Sequence, residues 1–326
     1  MAGAAHGTRK PDVEVLMAAP RGFCAGVRRA IGAVRDALAV HGAPVYVRHA
    51  IVHNYSVVRM LEGEGAVFVE QVDEVPAGGV IILSAHGVVP AVARDARRRG
   101  LTVYDAVCPL VAKVHREVER HHRSGRHVVI VGHRGHPEID GTLGRLPPSA
   151  ASLVRSAHEV AALRLGPGDP IAYAVQTTFS VGEAAEVVAA LERRFHDLVA
   201  PPASDICYAT TNRQAAVSNL AAHADAVIVV GERISSNANR LVEVAAGLCS
   251  NVQLVATADA LDWSVLPAGG GSFAITAAAS TPESSVDAIL VELAARYTVH
   301  VSEWGSVEET QRFKPVAVPS RRRLDA

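Results

Sequence analysis

The chain has 326 residues, of which 49 % are hydrophobic and 20 % charged, and its formal net charge is −1. This length suggests two or three domains of ordinary size. The balanced charge argues against a nucleic-acid footprint and a polybasic membrane patch, so we expect neither nucleic acid nor membrane among the partners. No signal-peptide pattern opens the chain and no apolar run approaches the ~18 residues of a membrane span, which predicts a soluble, cytoplasmic protein.

Short apolar runs alternate with amphipathic patterns along most of the chain. The runs that predict strands are 13–19, 45–51, 80–84, 101–107, 128–132, 171–176, 205–208, 226–231, 252–256 and 272–277. The patterns that predict helices include 183–195, 213–223, 238–246 and 285–296. This alternation indicates α/β units with mainly parallel sheets.

Cysteines are few and far apart, at Cys24, Cys108, Cys207 and Cys249. A disulfide framework is improbable in such a chain, and metal binding or catalysis is the better interpretation. Cys24 lies between two glycines where the first strand gives way to a helix, a position that favours a thiolate or a bound anion. A small buried cysteine at a tight turn is the alternative for this residue.

Three of the cysteines head a repeated spacing. Cys108 follows Cys24 by 84 residues, and Cys207 follows Cys108 by 99. Each is followed after 28 or 29 residues by a polar marker, and after 62 to 73 residues by another. The first markers are His53, His136 and Ser235, and the second are His86, Thr177 and Ser280. The spacing predicts three degenerate copies of one α/β unit of about 90 residues, with coincidence as the alternative.

The predicted boundaries follow the cysteines. We expect a disordered tail over 1–12, α/β units over 13–108, 109–204 and 205–300, and a C-terminal extension over 301–326. The strand at 13–19 is placed in the first unit, with docking on the third unit as the alternative. Because ligands bind beyond the carboxyl ends of parallel strands, and every marker lies at such an end, three units facing inward would enclose one central site.

Three converging cysteines could hold zinc or an iron–sulfur cluster. The usual zinc spacing, with two close cysteines, is absent. A [4Fe–4S] cluster held by Cys24, Cys108 and Cys207 leaves one iron open for a substrate oxygen, which combines Lewis-acid and redox chemistry. Cys249 follows a helix end without the glycine-rich setting, and we interpret it as structural.

The histidines and hydroxyl groups at the strand ends suggest a polar cage. Such donors, together with helix N-termini, suit an oxyanion such as phosphate. Because no nucleotide-binding motif is present, we expect a small substrate to carry this anion. The cage residues are His53, His86, His136, Ser235, Ser236, Asn237 and Ser280. Glu138 is placed to act as a general acid, although a solvated loop carboxylate is the alternative. Thr177 could order a proton path or cap the following helix.

Seven ordered motifs, covering nearly the whole chain, resemble the 4-hydroxy-3-methylbut-2-enyl diphosphate reductase family. They lie at 20–27, 51–54, 84–88, 105–111, 135–138, 176–178 and 207–214. The resemblance implies a trefoil of three α/β units around a central [4Fe–4S] cluster held by the three cysteines named above. It implies that the cage residues hold the diphosphate and that Thr177 and Glu138 handle protons. The sequence departs from the family's usual residues at Ala50, Val107, Ala112, Arg134 and Ala279, none of which is a candidate site residue.

The family's reaction is a two-electron reductive dehydration that yields isopentenyl and dimethylallyl diphosphates, with electrons from ferredoxin or flavodoxin. Two other functions stay open at this point. One is a redox-neutral hydro-lyase of the aconitase type, which also uses a three-cysteine cluster. The other is a divergent paralogue that senses a related diphosphate without turnover.

Overall fold

The computed structural model describes residues 9–305 and 307–319. Within them the chain divides into two compact units. Unit 1 comprises the chain up to Phe23 and Asn212–Glu309, and unit 2 comprises Cys24–Thr211 and the chain from Thr310. The expected tail over 1–12 lies outside the described residues up to position 8, and a strand begins at Asp12.

Strands and helices alternate along the described chain. The strands are β1 (Asp12–Ala18), β2 (Val45–Arg48), β3 (Ala66–Val69), β4 (Val80–Leu83), β5 (Thr102–Asp105), β6 (His127–Val131), β7 (Ala151–Val154), β8 (Ile171–Val175), β9 (Leu198–Val199), β10 (Ala226–Val230), β11 (Val252–Val255), β12 (Gly271–Ala277) and β13 (Thr298–Trp304).

The helices follow the same order. They are α1 (Ala25–His41), α2 (Tyr55–Gly63), α3 (Pro90–Arg98), α4 (Pro109–Arg123), α5 (Pro137–Leu143), α6 (Ala157–Ala161), α7 (Val181–Arg194), α8 (Tyr208–Ala221), α9 (Ser236–Ala246) and α10 (Glu283–Arg296), with short 3₁₀ turns at Val72–Glu74, Pro148–Ala150 and Ala258–Ala260. No described helix is both long and apolar enough to cross a membrane.

The described strands form three sheets whose pairings are parallel. Unit 1 holds a five-stranded sheet in the order β11-β10-β12-β1-β13. Unit 2 holds two four-stranded sheets, ordered β3-β2-β4-β5 and β7-β6-β8-β9. These three parallel α/β sheets confirm the predicted fold class. Strand β1 pairs with β12 on one side and with β13 on the other.

The core of unit 1 lies on both faces of its sheet. Val13, Val15 and Met17 of β1 pack with the buried side of α10, whereas Leu16 and Ala18 pack with α8 and α9. This alternation follows from the two-residue period of a strand. Because both faces are covered, strands such as β10 are buried along their whole length and consist of apolar, mostly β-branched residues.

One predicted strand is wrong. Residues 205–208 form no ladder, and helix α8 begins at Tyr208. The carboxylate of Asp205 instead accepts a hydrogen bond from the backbone N–H of Val175 at 3.0 Å, so a side chain takes the place that a neighbouring strand would have filled. Strands β3, β7, β9 and β13 were not predicted.

Candidate active site

The three predicted ligand cysteines all lie in unit 2 at the starts of helices. Cys24 is the N-cap of α1, and its Sγ accepts a hydrogen bond from the backbone N–H of Val27 at 3.4 Å. Cys108 precedes Pro109, the first residue of α4. Cys207 precedes α8, and its Sγ lies 3.2 Å from the hydroxyl of Thr210. We call these residues the cysteine triad.

Gly26 shows how closely two of these sulfurs approach each other. A Cβ atom added at Gly26 would lie 2.9 Å from the Sγ of Cys108 and 3.7 Å from the Sγ of Cys24. Cys207 interacts electrostatically with both partners. Burial raises the pKa of Cys108 to about 12 and that of Cys207 to about 11, and the neighbouring cysteines add to both shifts.

Backbone hydrogen bonds tie the cysteine loops to the strand ends. The N–H of Cys108 donates to the carbonyl of Ala85 at 2.9 Å, and the N–H of Ala85 donates to the carbonyl of Ile51 at 3.2 Å. The N–H of Cys207 donates to the carbonyl of Thr177 at 3.0 Å. Main-chain hydrogen bonds therefore hold the loop of Cys108 to the segments before His53 and His86, and the loop of Cys207 to Thr177.

Two side chains that the sequence analysis missed join the cysteine loops to one another. The hydroxyl of Tyr208 accepts from the N–H of Ala25 at 3.0 Å, which links the residues that follow Cys207 and Cys24. Arg29 of α1 donates to the carbonyl of Val107 at 3.0 Å and, through Nε, to the carbonyl of Lys314 at 2.9 Å. Only the adjacency of Tyr208 to a cysteine could have suggested such a role.

The donor set of the cysteine triad fits a multi-iron cluster. Thiolates bind iron, and three thiolates close to one another need nearby positive charge to stay ionised. Gly26 leaves free the space beside two sulfurs that a Cβ would fill. No three His, Cys, Asp or Glu side chains in the described part of the chain form a site for one metal ion. A cluster does not require that arrangement, because each cysteine binds a different iron.

His53, His86 and His136 form a second cluster in unit 2, which we call the histidine triad. The rings of His53 and His86 stack with centroids 3.8 Å apart, and the ring of His136 lies edge-on at 5.4 Å and 6.0 Å from them. Burial lowers the pKa of His53 to about 4 and that of His136 to about 3, and it lowers the pKa of His86 as well. The triad is therefore neutral at pH 7 and offers ring N–H donors.

Glu138 is a buried carboxyl group, not a solvated loop residue. It follows Pro137 at the start of α5, and only 2 % of it is exposed. One carboxylate oxygen accepts from the N–H of Thr177 at 2.7 Å, and the other accepts from the Thr177 hydroxyl at 2.8 Å. Burial raises the pKa of Glu138 to about 7, with a smaller contribution from Asp205, while the two hydrogen bonds oppose the shift. Such a group can both donate and accept a proton near neutral pH.

The remaining predicted cage residues belong to unit 1. Ser235 caps α9 by accepting from the N–H of Ala238 at 3.3 Å, and Ser236 is the first residue of that helix. The side-chain oxygen of Asn237 accepts from the N–H of Ala279, next to the buried Ser280, at 3.0 Å. The side-chain nitrogen of Asn237 is buried and has no hydrogen-bond partner among the described residues, so it is a donor in want of an acceptor.

An ion pair beside Cys207 also escaped the sequence analysis. Lys113 of α4 lies 3.2 Å from the fully buried carboxylate of Asp205.

Cys249 has the structural setting that the sequence suggested. It is buried in the core of unit 1, with its Sγ 3.5 Å from the carbonyl of Ala224.

Comparison with known protein families identifies the class to which this chain belongs. A family model described as LytB protein matches residues 15–294, and the chain belongs to this family.

Curated relatives carry a more specific name. A Methylocella silvestris protein named 4-hydroxy-3-methylbut-2-enyl diphosphate reductase is 50 % identical over 304 residues, covering 93 % of this chain and 95 % of its own length. A Paracoccus denitrificans protein of the same name is 50 % identical over 310 residues, covering 94 % of this chain and 97 % of its own.

Solved structures agree with the curated relatives. The E-1-hydroxy-2-methyl-but-2-enyl-4-diphosphate reductase from Plasmodium falciparum matches with a TM-score of 0.87 at 36 % identity, covering 94 % of this chain and 96 % of that one. A second reductase structure, described as the terminal enzyme of the non-mevalonate pathway, matches with a TM-score of 0.62 at 31 % identity, covering 87 % of this chain and 99 % of that one.

Proposed function

We propose that this chain is a 4-hydroxy-3-methylbut-2-enyl diphosphate reductase. The substrate takes up two electrons and two protons, its C–O bond breaks, and isopentenyl or dimethylallyl diphosphate leaves together with water. Membership of the LytB family and the names of the relatives support this reaction. The observation in the molecule itself that carries the proposal is the buried Glu138–Thr177 pair, a proton donor poised near neutral pH.

Cys24, Cys108 and Cys207 would hold a [4Fe–4S] cluster, which when bound supplies single electrons and an open Lewis-acid position. The chain contributes the three sulfurs at helix N-termini, where the helix dipole stabilises negative charge. A small redox protein, ferredoxin or flavodoxin, is the proposed source of the electrons.

The histidine triad with Ser235, Ser236, Asn237 and Ser280 is proposed to bind the diphosphate. Neutral imidazoles, hydroxyl groups and an amide are hydrogen-bond donors that match phosphate oxygens. The side-chain nitrogen of Asn237 has no hydrogen-bond partner within residues 9–305 and 307–319, which supports this assignment, because a bound oxyanion would supply an acceptor.

Glu138 is proposed to deliver the proton that converts the substrate hydroxyl into water, with Thr177 orienting its carboxyl group. The protonated fraction of Glu138 falls as the pH rises through its pKa of about 7. We therefore expect turnover to decline above neutral pH, approaching about a tenfold loss per pH unit if this proton transfer limits the rate.

Exchanging Glu138 for glutamine tests this role. Glu138→Gln should bind substrate but lose turnover by about 10²–10⁴-fold, since the amide keeps the shape and lacks the acidic proton. Glu186→Gln is the control, because Glu186 is an exposed residue of α7. Single-turnover reduction at the rate of the unsubstituted protein in Glu138→Gln would remove Glu138 from the mechanism.

An anaerobic assay of the reconstituted protein separates the three functions considered. Substrate consumption that requires a strong reductant and yields both products supports the reductase. Consumption without a reductant would identify a hydro-lyase, and tight diphosphate binding without consumption would identify a sensor.

A further inference from the structure

A groove of about 410 Å³ lies in unit 2, and none of the candidate active-site residues lines it. It is bounded by the carboxyl end of β2, the turn after β3 and helix α3. Its polar lining consists of Arg48, Gln71, Asp73, Asp95, Arg98 and Arg99. We call it the arginine groove. Its volume falls in the range of small-molecule sites.

Arg98 and Arg99 each have a partner in the groove, and neither partner prevents the guanidinium group from binding a ligand. Arg98 pairs with Asp95 at 2.9 Å, one helical turn away, and its side chain is 75 % exposed. Exposed pairs of this kind contribute little to stability, so an incoming anion can compete for the guanidinium. Arg99 donates from one terminal nitrogen to the carbonyl of Asp73 at 3.2 Å, which leaves its other donors available.

Arg48 differs from the other two. It ends β2 inside the groove, and its Nε is buried without a hydrogen-bond partner in the described part of the chain. Burial lowers the pKa of Arg48, and Glu70 is the nearby charge that opposes this shift. A buried donor on a cation without an acceptor is unfavourable, so this site is suited to an anion.

The ligand class follows from the donors. Guanidinium groups present paired N–H donors that match phosphate oxygens two at a time. The three guanidinium charges outnumber the two lining carboxylates, one of which is already paired with Arg98, and the neutral amide of Gln71 adds further N–H donors. We propose that the arginine groove is a second anion site that binds a phosphate-bearing small molecule, with Arg48 as its central donor. This site does not depend on the proposed reductase activity.

Hydrogen exchange of the full-length chain with inorganic pyrophosphate as the probe tests the proposal, because it reports binding by location. Pyrophosphate should slow amide exchange in peptides covering 70–75 and 91–99. Arg48→Met should weaken this protection at least tenfold in apparent affinity, and so should Arg99→Ser on the exposed rim. Arg97→Met is the matched control, since Arg97 is an exposed α3 residue that does not line the groove.

The second variant keeps the test decisive if Arg48→Met proves unstable. Protection that is lost in Arg99→Ser and retained in Arg97→Met supports the site. The absence of protection in these peptides at about 1 mM pyrophosphate, a weak but measurable affinity, would overturn the proposal. Protection that is equal in Arg48→Met, Arg99→Ser and the unsubstituted chain would overturn it too.

Discussion

Replacing Gly26 by alanine tests whether the cysteine triad is built to hold a metal cluster. The new methyl carbon would lie 2.9 Å from the Sγ of Cys108 and 3.7 Å from the Sγ of Cys24. The first distance is shorter than a carbon and a sulfur tolerate, so the Cys108 sulfur or the start of α1 must move. The strain therefore falls on a proposed ligand atom.

The expected magnitude combines two opposing effects. Alanine is favoured over glycine inside a helix by about 0.5–1 kcal/mol, and less so in the first turn, where Gly26 lies. Overpacking a tight site costs about 1–3 kcal/mol. In the metal-free chain the Cys108 side chain can rotate away, so we expect a net destabilisation of about 1 kcal/mol or less. With a cluster bound, each sulfur is fixed to its iron and cannot yield.

The assay is iron and acid-labile sulfide per chain after anaerobic reconstitution, together with the thermal melting point of the metal-free protein. Gly26→Ala should lose most of its iron and sulfide while melting close to the unsubstituted chain. Gly32→Ala is the control on the same helix, because a Cβ there meets nothing within 4 Å. It should load normally and be more stable by about 0.5–1 kcal/mol.

Full iron and sulfide content in Gly26→Ala, with an unchanged visible spectrum, would refute the reasoning. It would mean that the sulfurs do not converge on a rigid group at this point. Equal loss of iron in Gly32→Ala would also count against it, because that loss could not arise from contact with the sulfurs.

Three further outcomes are expected. The histidine triad is neutral at pH 7 because burial lowers its pKa values, whereas a bound diphosphate favours the protonated rings, so diphosphate binding should take up protons and tighten as the pH falls. Calorimetry in buffers of different ionisation enthalpy should show this proton uptake, and identical binding heats in all buffers would contradict it. Gly87→Ala should lower the melting point by the equivalent of about 1–3 kcal/mol, because Gly87 has φ +80° and a Cβ there would lie 2.6 Å from a ring carbon of His115. An unchanged melting point would show that the His115 ring moves freely. Glu309→Ala should lower the free energy of urea unfolding by about 3 kcal/mol or more, because it removes the carboxylate that lies 2.8 Å from the fully buried Arg213. Glu308→Ala, at an exposed position, is the control and should leave that free energy nearly unchanged. Equal effects of the two substitutions would argue against a buried ion pair.

The helix starts that follow Cys24, Cys108 and His136 could be predicted from the sequence because strong local signals mark them. Cys24 lies between glycines, and Cys108 and His136 each precede a proline that starts a helix. These signals act over a few residues, so they place a side chain at a strand end without knowledge of the fold. The parallel sheets could be predicted from the alternation of short apolar runs with amphipathic patterns along the chain.

Other features depend on contacts between distant residues and have no local signal. Strand β13 is largely exposed and mixes polar with apolar residues, so its pattern does not indicate a strand until β1 lies beside it. The carbonyl groups that Arg29 binds carry no mark in the sequence. The raised pKa of Glu138 results from burial, whereas its place in a glycine-rich loop suggested solvent.

The position of β1 has a consequence for biosynthesis. Its two neighbours, β12 and β13, begin at Gly271 and Thr298, so β1 has no pairing partner until translation has passed Gly271. During translation this apolar segment is an unpaired edge of the kind that aggregates. Nascent chains stalled before Gly271 should therefore recruit chaperones at residues 12–18, and the sheet of unit 1 can be completed only after β12 and β13 have been made.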